Sequence, residues 1–276
     1  MRLLSTHPYA GPLRAVIFDW AGTTVDYGCY APVAVFIAVF DRCGVSITAQ
    51  QARGPMGLEK RDHIRALAAQ PAIAEQWRAV HDRHVAESDI EAMFHESIAL
   101  QAAHVADYAD LIRGTIETVA ECRQRGLKIG SSTGYSRQIM DVLLPAAAQR
   151  GYAPDAAICP SDVPAGRPAP WMLFQNAIRL EVYPMAALVK VGDTIPDIEE
   201  GLNAGTWTIG VTRSGNELGL TEPEAAALAP AALNERLAEI AQRMRQAGAH
   251  YIVETIADVP AVLDTIGGRL QRGEQP

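Results

Sequence analysis

Short apolar runs that alternate with helical segments constrain the fold of this chain more than any other feature of its sequence. Five runs, none longer than five residues, carry the β-branched and aromatic residues that are typical of buried strands. They are residues 14–18, 127–131, 156–159, 187–191 and 207–211. Strands separated by helices of this length form right-handed βαβ units. The sequence therefore predicts an α/β fold, a Rossmann-like doubly wound parallel sheet with helices on both faces.

The segments that flank this series show other patterns. Residues 31–106 contain no convincing strand and instead carry helical patterns. These patterns span 33–40, 64–69, 73–80 and 90–100. We therefore expect a helical domain, residues 28–106, inserted after the first strand, with residues 1–27 and 107–276 forming the α/β core. Near the end of the chain we expect a helical linker at 223–232, an amphipathic helix at 233–246 and an edge strand at 251–253.

Charge and hydropathy exclude several classes of partner. The formal charge of −8 and the pI near 5.4 argue against nucleic acid and anionic membrane surfaces, because such a field does not attract polyanions. No segment approaches the ~20 apolar residues that span a bilayer, and residues 1–8 lack the apolar core of a signal peptide. We therefore expect a cytoplasmic protein whose partner is a small molecule.

Cysteine and lysine are scarce enough to be informative. The cysteines are scattered and form no CxxC pair, so neither a zinc site nor a disulfide framework is expected. The only lysines are Lys60, Lys128 and Lys190, so a reaction that needs a primary amine has three candidates. A solvated side chain is the usual state of lysine, and we expect it for Lys128 and Lys190.

Reactive side chains follow the predicted strands. Ligands of a parallel α/β sheet bind beyond the carboxyl ends of its strands, so these residues are expected to share one crevice. They are Asp19, Ser132, Thr133, Gly134, Ser161, Asp162, Arg167 and Asp193. Asp19 and Asp193 could hold one hard divalent cation, and Mg²⁺ suits a site of carboxylate, water and phosphoryl oxygens.

The other residues of this group suit a phosphoryl substrate. Thr133 and the Gly134 amide could bind a phosphoryl oxygen, and Arg167 could stabilise charge on the transferring group. Asp197 and Thr194 are expected to support the metal ligands or a loop amide. Helix capping, for example by Thr133 at the start of the next helix, would explain any one of these residues. It does not explain four strand-end signals together.

Four ordered motifs resemble those of the haloacid dehalogenase superfamily. The motifs are Asp19-Trp-Ala-Gly-Thr-Thr, Thr133, Arg167-Pro, and Gly192-Asp193 followed after three residues by Asp197. The resemblance implies that Asp19 attacks phosphorus. Most phosphotransferases of that superfamily carry a second acid two residues after the nucleophile, where this chain has Ala21. Alanine cannot protonate a leaving group, so only its backbone carbonyl remains, as a metal ligand.

The inserted helical domain offers another way to activate a leaving group. A Gly54-Pro-Met-Gly loop precedes Lys60 at the expected start of a helix, and His63 lies one turn later on the same side. The helix N-terminus and nearby arginines are expected to lower the pKa of Lys60, as a Schiff-base lysine requires. An imine would be an electron sink beside a carbon–phosphorus bond, and His63 could shuttle protons.

The whole combination resembles the phosphonoacetaldehyde hydrolases of that superfamily. The matching segments are Asp19-Trp-Ala-Gly-Thr, Gly54-Pro-Met-Gly with Lys60 and His63, Ser132-Thr133-Gly134-Tyr135, and Asp162-Val-Pro-Ala-Gly-Arg167-Pro. The resemblance implies cleavage of the carbon–phosphorus bond of phosphonoacetaldehyde to acetaldehyde and phosphate, with an imine on Lys60 and an aspartyl phosphate on Asp19. It also implies a homodimer, a helical cap that closes over the core, and Mg²⁺ held by Asp19, the Ala21 carbonyl and Asp193.

Further positions and two alternatives complete the prediction. The resemblance places Cys29, Met56, His63 and Tyr135 around the substrate. One alternative is a phosphate-ester phosphatase or sugar-phosphate mutase of the same superfamily, which Ala21 disfavours. The other is a non-catalytic binding protein with this fold, against which the joint presence of the four motifs argues.

Overall fold

The structure, a computed structural model, describes residues 8–276. Residues 1–7, on which the prediction about a signal peptide largely rests, lie outside it. All six strands run parallel in one sheet, in the order β3-β2-β1-β4-β5-β6. The strands are β1 (Ala15–Phe18), β2 (Lys128–Ser132), β3 (Ala156–Ile158), β4 (Leu188–Gly192), β5 (Trp207–Val211) and β6 (Tyr251–Val253). The predicted α/β fold is therefore confirmed, including its edge strand.

The first five helices after β1 fall within residues 28–106. They are α1 (Tyr30–Arg42), α2 (Ala49–Arg53), α3 (Lys60–Ala68), α4 (Pro71–His81) and α5 (Glu87–His104). The sequence patterns did not predict α2, a helix of five residues. Its signal is a capping box, in which Thr48 accepts a hydrogen bond from the Gln51 amide and the Gln51 side chain accepts one in return.

The remaining helices alternate with the strands or close the chain. They are α6 (Thr115–Gln124), α7 (Arg137–Gln149), α8 (Trp171–Arg179), α9 (Ile195–Ala204), α10 (Glu222–Ala227), α11 (Pro230–Gln246) and α12 (Val259–Gln271). The single helical linker predicted at 223–232 is wrong, because the helix stops before Leu228, whose backbone is extended, and a new one begins at Pro230. No helix in the described part of the chain combines the length and the apolar character needed to cross a bilayer.

The sheet is buried on both of its faces. Alternate residues of β1 belong to two different apolar clusters, Val16 and Phe18 to one and Ala15 and Ile17 to the other. A strand covered on both sides has no solvent-facing position, which explains why the strands are continuous apolar runs in the sequence. A polar side chain within such a strand is therefore buried as well.

The order of the strands fixes where a ligand can bind. The chain builds β1, β2 and β3 on one side and then crosses to place β4 on the other side of β1. A crevice opens at the carboxyl ends of the strands at such a reversal. Asp19 follows β1 and Asp193 follows β4, so both residues lie at this point.

Candidate active site

One pocket collects the predicted catalytic and substrate-binding residues. It lies between the carboxyl edge of the sheet and the segment that leads into α3. Its lining includes Asp19, Ala21, Cys29, Met56, Lys60, His63, Thr133, Gly134, Tyr135, Arg167 and Thr194. Ser161 and Asp162 do not line it, because the Asp162 carboxylate pairs with Arg137 and caps the Cys159 amide.

Asp19 is held at the floor of the pocket by the sheet and by one cation. Its backbone N–H donates to the Val191 carbonyl at 2.9 Å, which continues the pairing of β1 with β4. Arg167 Nη2 donates to Asp19 Oδ1 at 2.7 Å. Burial raises the pKa of Asp19, and the charge of Arg167 opposes that effect. The carboxylate is thus oriented towards the pocket while its other oxygen has no protein donor among the described residues.

Arg167 is fixed by acids on α9 as well as by Asp19. Its Nη1 lies 2.9 Å from Asp197 Oδ1, and its Nε donates to Glu200 Oε2 at 3.1 Å. Nη2 also donates to the Ser132 carbonyl at 2.8 Å. A guanidinium that is held on every edge presents its charge in one orientation.

Lys190 is a member of this cluster that the sequence did not reveal. The prediction of a solvated side chain is wrong, because Lys190 lies in the fully buried strand β4. Its Nζ lies 2.7 Å from Asp197 Oδ1, donates to Ser132 Oγ at 2.9 Å and lies 3.5 Å from Glu200 Oε2. The signal was its place in an apolar run of a parallel sheet, where every side chain is buried.

Asp193 and Asp19 offer a site for a hard divalent cation. Carboxylate oxygens of Asp19, Asp193 and Asp197 lie within 4.8 Å of one another. Burial raises the pKa of Asp193 well above its usual value, and the charges of Asp19 and Asp197 add to that effect. Asp197 pairs with two cations, Lys190 and Arg167, whereas the donors to Asp193 are neutral groups, so Asp19 and Asp193 are the better ligands. The buried cluster holds four carboxylates and two cations, so one divalent cation would neutralise it.

Lys60 enters the pocket from the opposite side, at the first residue of α3. It is 3% exposed, and its Nζ lies 4.7 Å from the centroid of the Phe36 ring and 5.7 Å from that of Tyr135. Burial lowers the pKa of Lys60 to about 7, and the charge of Glu59 opposes that effect. The role predicted for nearby arginines is wrong, because Arg61 pairs with Glu91.

His63 lies one turn after Lys60 and is held as a neutral ring. Its Nε2 lies 2.8 Å from the Ala52 carbonyl, which can only accept, so Nε2 carries the proton and Nδ1 is the free acceptor. The ring stacks on Phe36 with centroids 3.8 Å apart. Burial and, to a smaller extent, the charge of Lys60 lower the pKa of His63 to about 3.

Comparison with known proteins identifies the family of this chain. A family model described as haloacid dehalogenase-like hydrolase matches residues 13–205. The chain belongs to the haloacid dehalogenase-like hydrolases. It is 52% identical over 271 residues to a phosphonoacetaldehyde hydrolase-like protein of Syntrophobacter fumaroxidans, with 98% of each chain covered. It is 48% identical over 273 residues to a phosphonoacetaldehyde hydrolase of Nitratidesulfovibrio vulgaris, with 99% of this chain and 98% of that protein covered.

A solved structure extends this likeness to three dimensions. The crystal structure of a phosphonoacetaldehyde hydrolase-like protein from Oleispira antarctica matches with a TM-score of 0.96 at 39% identity, and all of both chains is covered. The predicted resemblance to this family of haloacid dehalogenase-like hydrolases is therefore confirmed, at the level of the sequence and of the fold.

In this haloacid dehalogenase-like hydrolase, glycines let the inserted segment approach the core. A Cβ atom on Gly57 would lie 2.3 Å from Thr194 Oγ1, and one on Gly134 would lie 2.8 Å from the Leu58 carbonyl oxygen. Gly57 also has a φ of +94°, which other residues rarely adopt. The backbone of Gly57 and Leu58 therefore packs directly against the core. The segment that leads to Lys60 thus covers the Asp19 side of the pocket.

Three further predicted residues of the hydrolase line the same pocket. Thr133 Oγ1 accepts a hydrogen bond from the Tyr135 amide at 3.1 Å. The alternative explanation of Thr133, as the cap of the next helix, is wrong, because Ser136 is the residue before α7. Cys29 Sγ lies 3.6 Å from Asp193 Oδ2, and burial raises the pKa of its thiol well above the usual value. Cys29 is thus a protonated neighbour of the carboxylate pair.

Proposed function

We propose that this hydrolase cleaves the carbon–phosphorus bond of phosphonoacetaldehyde to give acetaldehyde and phosphate. The observation that carries the proposal is the position of Lys60. A buried amine, whose pKa is lowered to about 7 by burial, faces the same pocket as the Asp19 carboxylate and the Arg167 guanidinium. An amine with this pKa is partly neutral at neutral pH, as imine formation requires. The relatives named phosphonoacetaldehyde hydrolases support the choice of substrate.

The proposed reaction begins at the cap side of the pocket. The Lys60 amine adds to the substrate aldehyde and loses water to form a protonated imine. An Asp19 oxygen then attacks phosphorus, and the electron pair of the carbon–phosphorus bond passes to the imine, which becomes an enamine. Water hydrolyses the aspartyl phosphate and releases phosphate. A proton returns to the enamine carbon, and a second water releases acetaldehyde and free Lys60.

This route explains why the chain needs no acid at Ala21. The leaving group is a carbon whose charge the imine nitrogen accepts, so no oxygen has to be protonated during cleavage. His63 Nδ1, the free acceptor of a neutral ring, is the proposed proton shuttle. The leaving group of a phosphate ester is an oxygen, which needs a proton that Ala21 cannot donate, so an ordinary phosphatase or mutase is the weaker candidate.

The charged floor is proposed to bind the phosphonate group. Thr133, Gly134 and Arg167 would contact its oxygens, and Met56, Tyr135 and Cys29 would surround the rest of the substrate. Mg²⁺, held by Asp19, the Ala21 carbonyl and Asp193 and supported by Thr194 and Asp197, would offset the repulsion between the nucleophile and the anionic substrate. The charge balance of the buried cluster supports a divalent cation at this position.

We also propose that residues 28–106 act as a cap over a core formed by residues 1–27 and 107–276. Its two connections to the core lie side by side, since the Asp26 amide donates to the Asp110 carbonyl at 3.2 Å and the Ile112 amide donates to the Thr24 carbonyl at 2.9 Å. Paired connections of this kind let one body rotate against the other at a single hinge.

A homodimer is part of the same proposal. Three large apolar side chains on and after α8 are exposed, Trp171 at 45%, Ile178 at 69% and Tyr183 at 83%. Together with Phe174 and Met185 they form one apolar patch on the core. Contiguous apolar surface of this kind is typical of an interface between protein chains. A second copy of the chain is the proposed occupant.

The experiment that tests the function measures both products. With phosphonoacetaldehyde and MgCl₂, phosphate and acetaldehyde should appear in equal amounts, and chelation of the metal should stop both. Lys60→Arg should abolish turnover, because guanidinium keeps the charge but forms no imine. Lys128→Arg, which changes a lysine outside the pocket in the same way, should leave turnover unchanged. Turnover by Lys60→Arg at the wild-type rate would contradict the imine route.

A further inference from the structure

The loop after β5 touches the proposed metal site from behind. The Asn216 amide donates to Asp193 Oδ2 at 2.8 Å, and Ser214 Oγ donates to the Gly22 carbonyl at 2.7 Å. Gly215 lies so close that a Cβ atom there would be 2.6 Å from Asp193 Cβ. Asn216 is 2% exposed, so water does not compete for these contacts. The orientation of the Asp193 carboxylate therefore depends on where this loop lies.

Arg53, from the inserted helices, holds the other side of the loop. At the end of α2, its Nη1 donates to Asn216 Oδ1 at 3.2 Å and its Nη2 donates to the Gly219 carbonyl at 3.3 Å. Asn216 Nδ2 donates in return to the Arg53 carbonyl at 3.1 Å. Arg53 thus holds the side chain of Asn216, while the backbone N–H of Asn216 holds the Asp193 carboxylate.

Two further contacts keep Arg53 in place. Its Nη1 donates to the Gly28 carbonyl at 2.5 Å, and its guanidinium lies 5.1 Å from the centroid of the Tyr30 ring. Gly219 has a φ of +64°, and a Cβ atom there would lie 2.8 Å from Arg53 Nε. Arg53 therefore packs closely against the loop after β5, and a shift of α2 would move Asn216 as well.

We propose that Arg53 and Asn216 are positioning residues that fix Asp193 for metal binding. Seating of the inserted helices and completion of the metal site are then one event, so the carboxylates are ready to bind the cation when Lys60 is in the pocket. This role rests on the proposed function in one respect, the assignment of Asp193 as a metal ligand. Hydrogen-bond partners of metal ligands typically change metal affinity by 10–100-fold when they are lost.

A purely structural role for Arg53 makes a different prediction. If Arg53 only joins α2 to the core, its loss should lower the unfolding midpoint and leave the affinity for the cation unchanged. If it positions Asp193 through Asn216, the affinity should fall even where the fold is intact. The two roles are therefore separated by a measurement of metal binding that does not depend on turnover.

The test compares the MgCl₂ dependence of thermal unfolding in matched variants. Ligand binding raises the midpoint in proportion to ln(1 + [Mg²⁺]/Kd), so the MgCl₂ concentration that gives a fixed rise in midpoint reports affinity. For Arg53→Met this concentration should be about tenfold higher than for the wild type. Arg53→Lys should give an intermediate value, because one ammonium can replace only part of the fork. Arg42→Met removes an arginine paired with Glu96 on the cap surface and should match the wild type.

A second variant keeps the test decisive if Arg53→Met does not fold. Asn216→Ala removes the contacts with Arg53 but keeps the backbone N–H that faces Asp193, and it should raise the same concentration severalfold. Values within twofold of the wild type in folded Arg53→Met or Asn216→Ala would overturn the inference, as would a wild type that does not respond to MgCl₂. A wild type that binds MgCl₂ but leaves phosphonoacetaldehyde intact would instead contradict only the proposed substrate.

Discussion

Lys60, on the cap side of the pocket, and Lys190, beneath its floor, are both buried amines, at 3% and 0% exposure. Their surroundings differ in one respect, the supply of acceptors. Lys60 lies against the rings of Phe36 and Tyr135, and its pKa is lowered to about 7 by burial. Lys190 lies within 3.5 Å of oxygens of Ser132, Asp197 and Glu200.

The comparison shows how one residue type serves two purposes in a single pocket. Burial without close acceptors disfavours the ammonium form and leaves a nucleophilic amine. Lys190 instead pairs with carboxylates and forms a structural part of the floor of the pocket. The wall of the pocket that carries Lys60, the proposed cap wall, is thus suited to carbonyl chemistry, and the floor that carries Asp19 and Arg167 is suited to phosphoryl chemistry.

Substitution of Asp19, the proposed nucleophile, should abolish phosphoryl transfer and leave imine formation on Lys60 intact. For Asp19→Asn we expect phosphate release to fall on the order of 10⁴-fold or more, because an amide does not attack phosphorus. Imine formation should persist, since Asp19 is not among the groups that shift the pKa of Lys60. Phosphate assays and borohydride trapping, run side by side, separate the two effects. Asp141→Asn, on the exposed face of α7, is the control.

Removal of the cation under the floor should cost stability as well as activity. Lys190→Met leaves Asp197 and Glu200 with one cation fewer, and a broken buried pair costs about 3–5 kcal/mol. The double variant Lys190→Met/Glu200→Gln should recover part of this loss, because it removes a charge of each sign. Urea unfolding measures both. A Lys190→Met protein as stable as Lys128→Met would show that the cluster does not need the amine.

The pH dependence of activity should follow the protonation state of Lys60. Because burial lowers the pKa of Lys60 to about 7, the neutral form dominates above that pH and the ammonium form below it. We expect kcat/KM to rise by about tenfold per pH unit below 7 and to level off above it. A rate that is constant from pH 5.5 to 8, measured where the protein stays folded, would not fit this assignment.

The sequence predicted the sheet well because its signal is local. Runs such as 207–211 are apolar and short, and strand β5 covers those same residues. The motif residues could be placed together because the strand ends of a parallel sheet share one edge. The break between α10 and α11 was missed because an Ala-rich stretch favours helix on both sides of Pro230.

What the sequence did not predict depends on contacts between distant segments. Lys60 is buried by Phe36, from α1, and by Tyr135, from the loop after β2, so its pKa is set by tertiary structure and not by neighbouring arginines. Glu200 gave no signal because an acid on a helix is usually solvated. Lys190 could have been predicted, since no side chain in a doubly covered strand reaches water.

Reductive trapping tests the central claim most directly. Protein incubated with phosphonoacetaldehyde and borohydride should carry one adduct, and peptide mass spectrometry should place it on Lys60, because among the three lysines, all within the described residues, Lys60 alone lines the pocket and burial lowers its pKa to about 7. Lys128 and Lys190 should stay unmodified in the same sample. Turnover without an adduct on Lys60, or with the adduct on another lysine, would contradict the account.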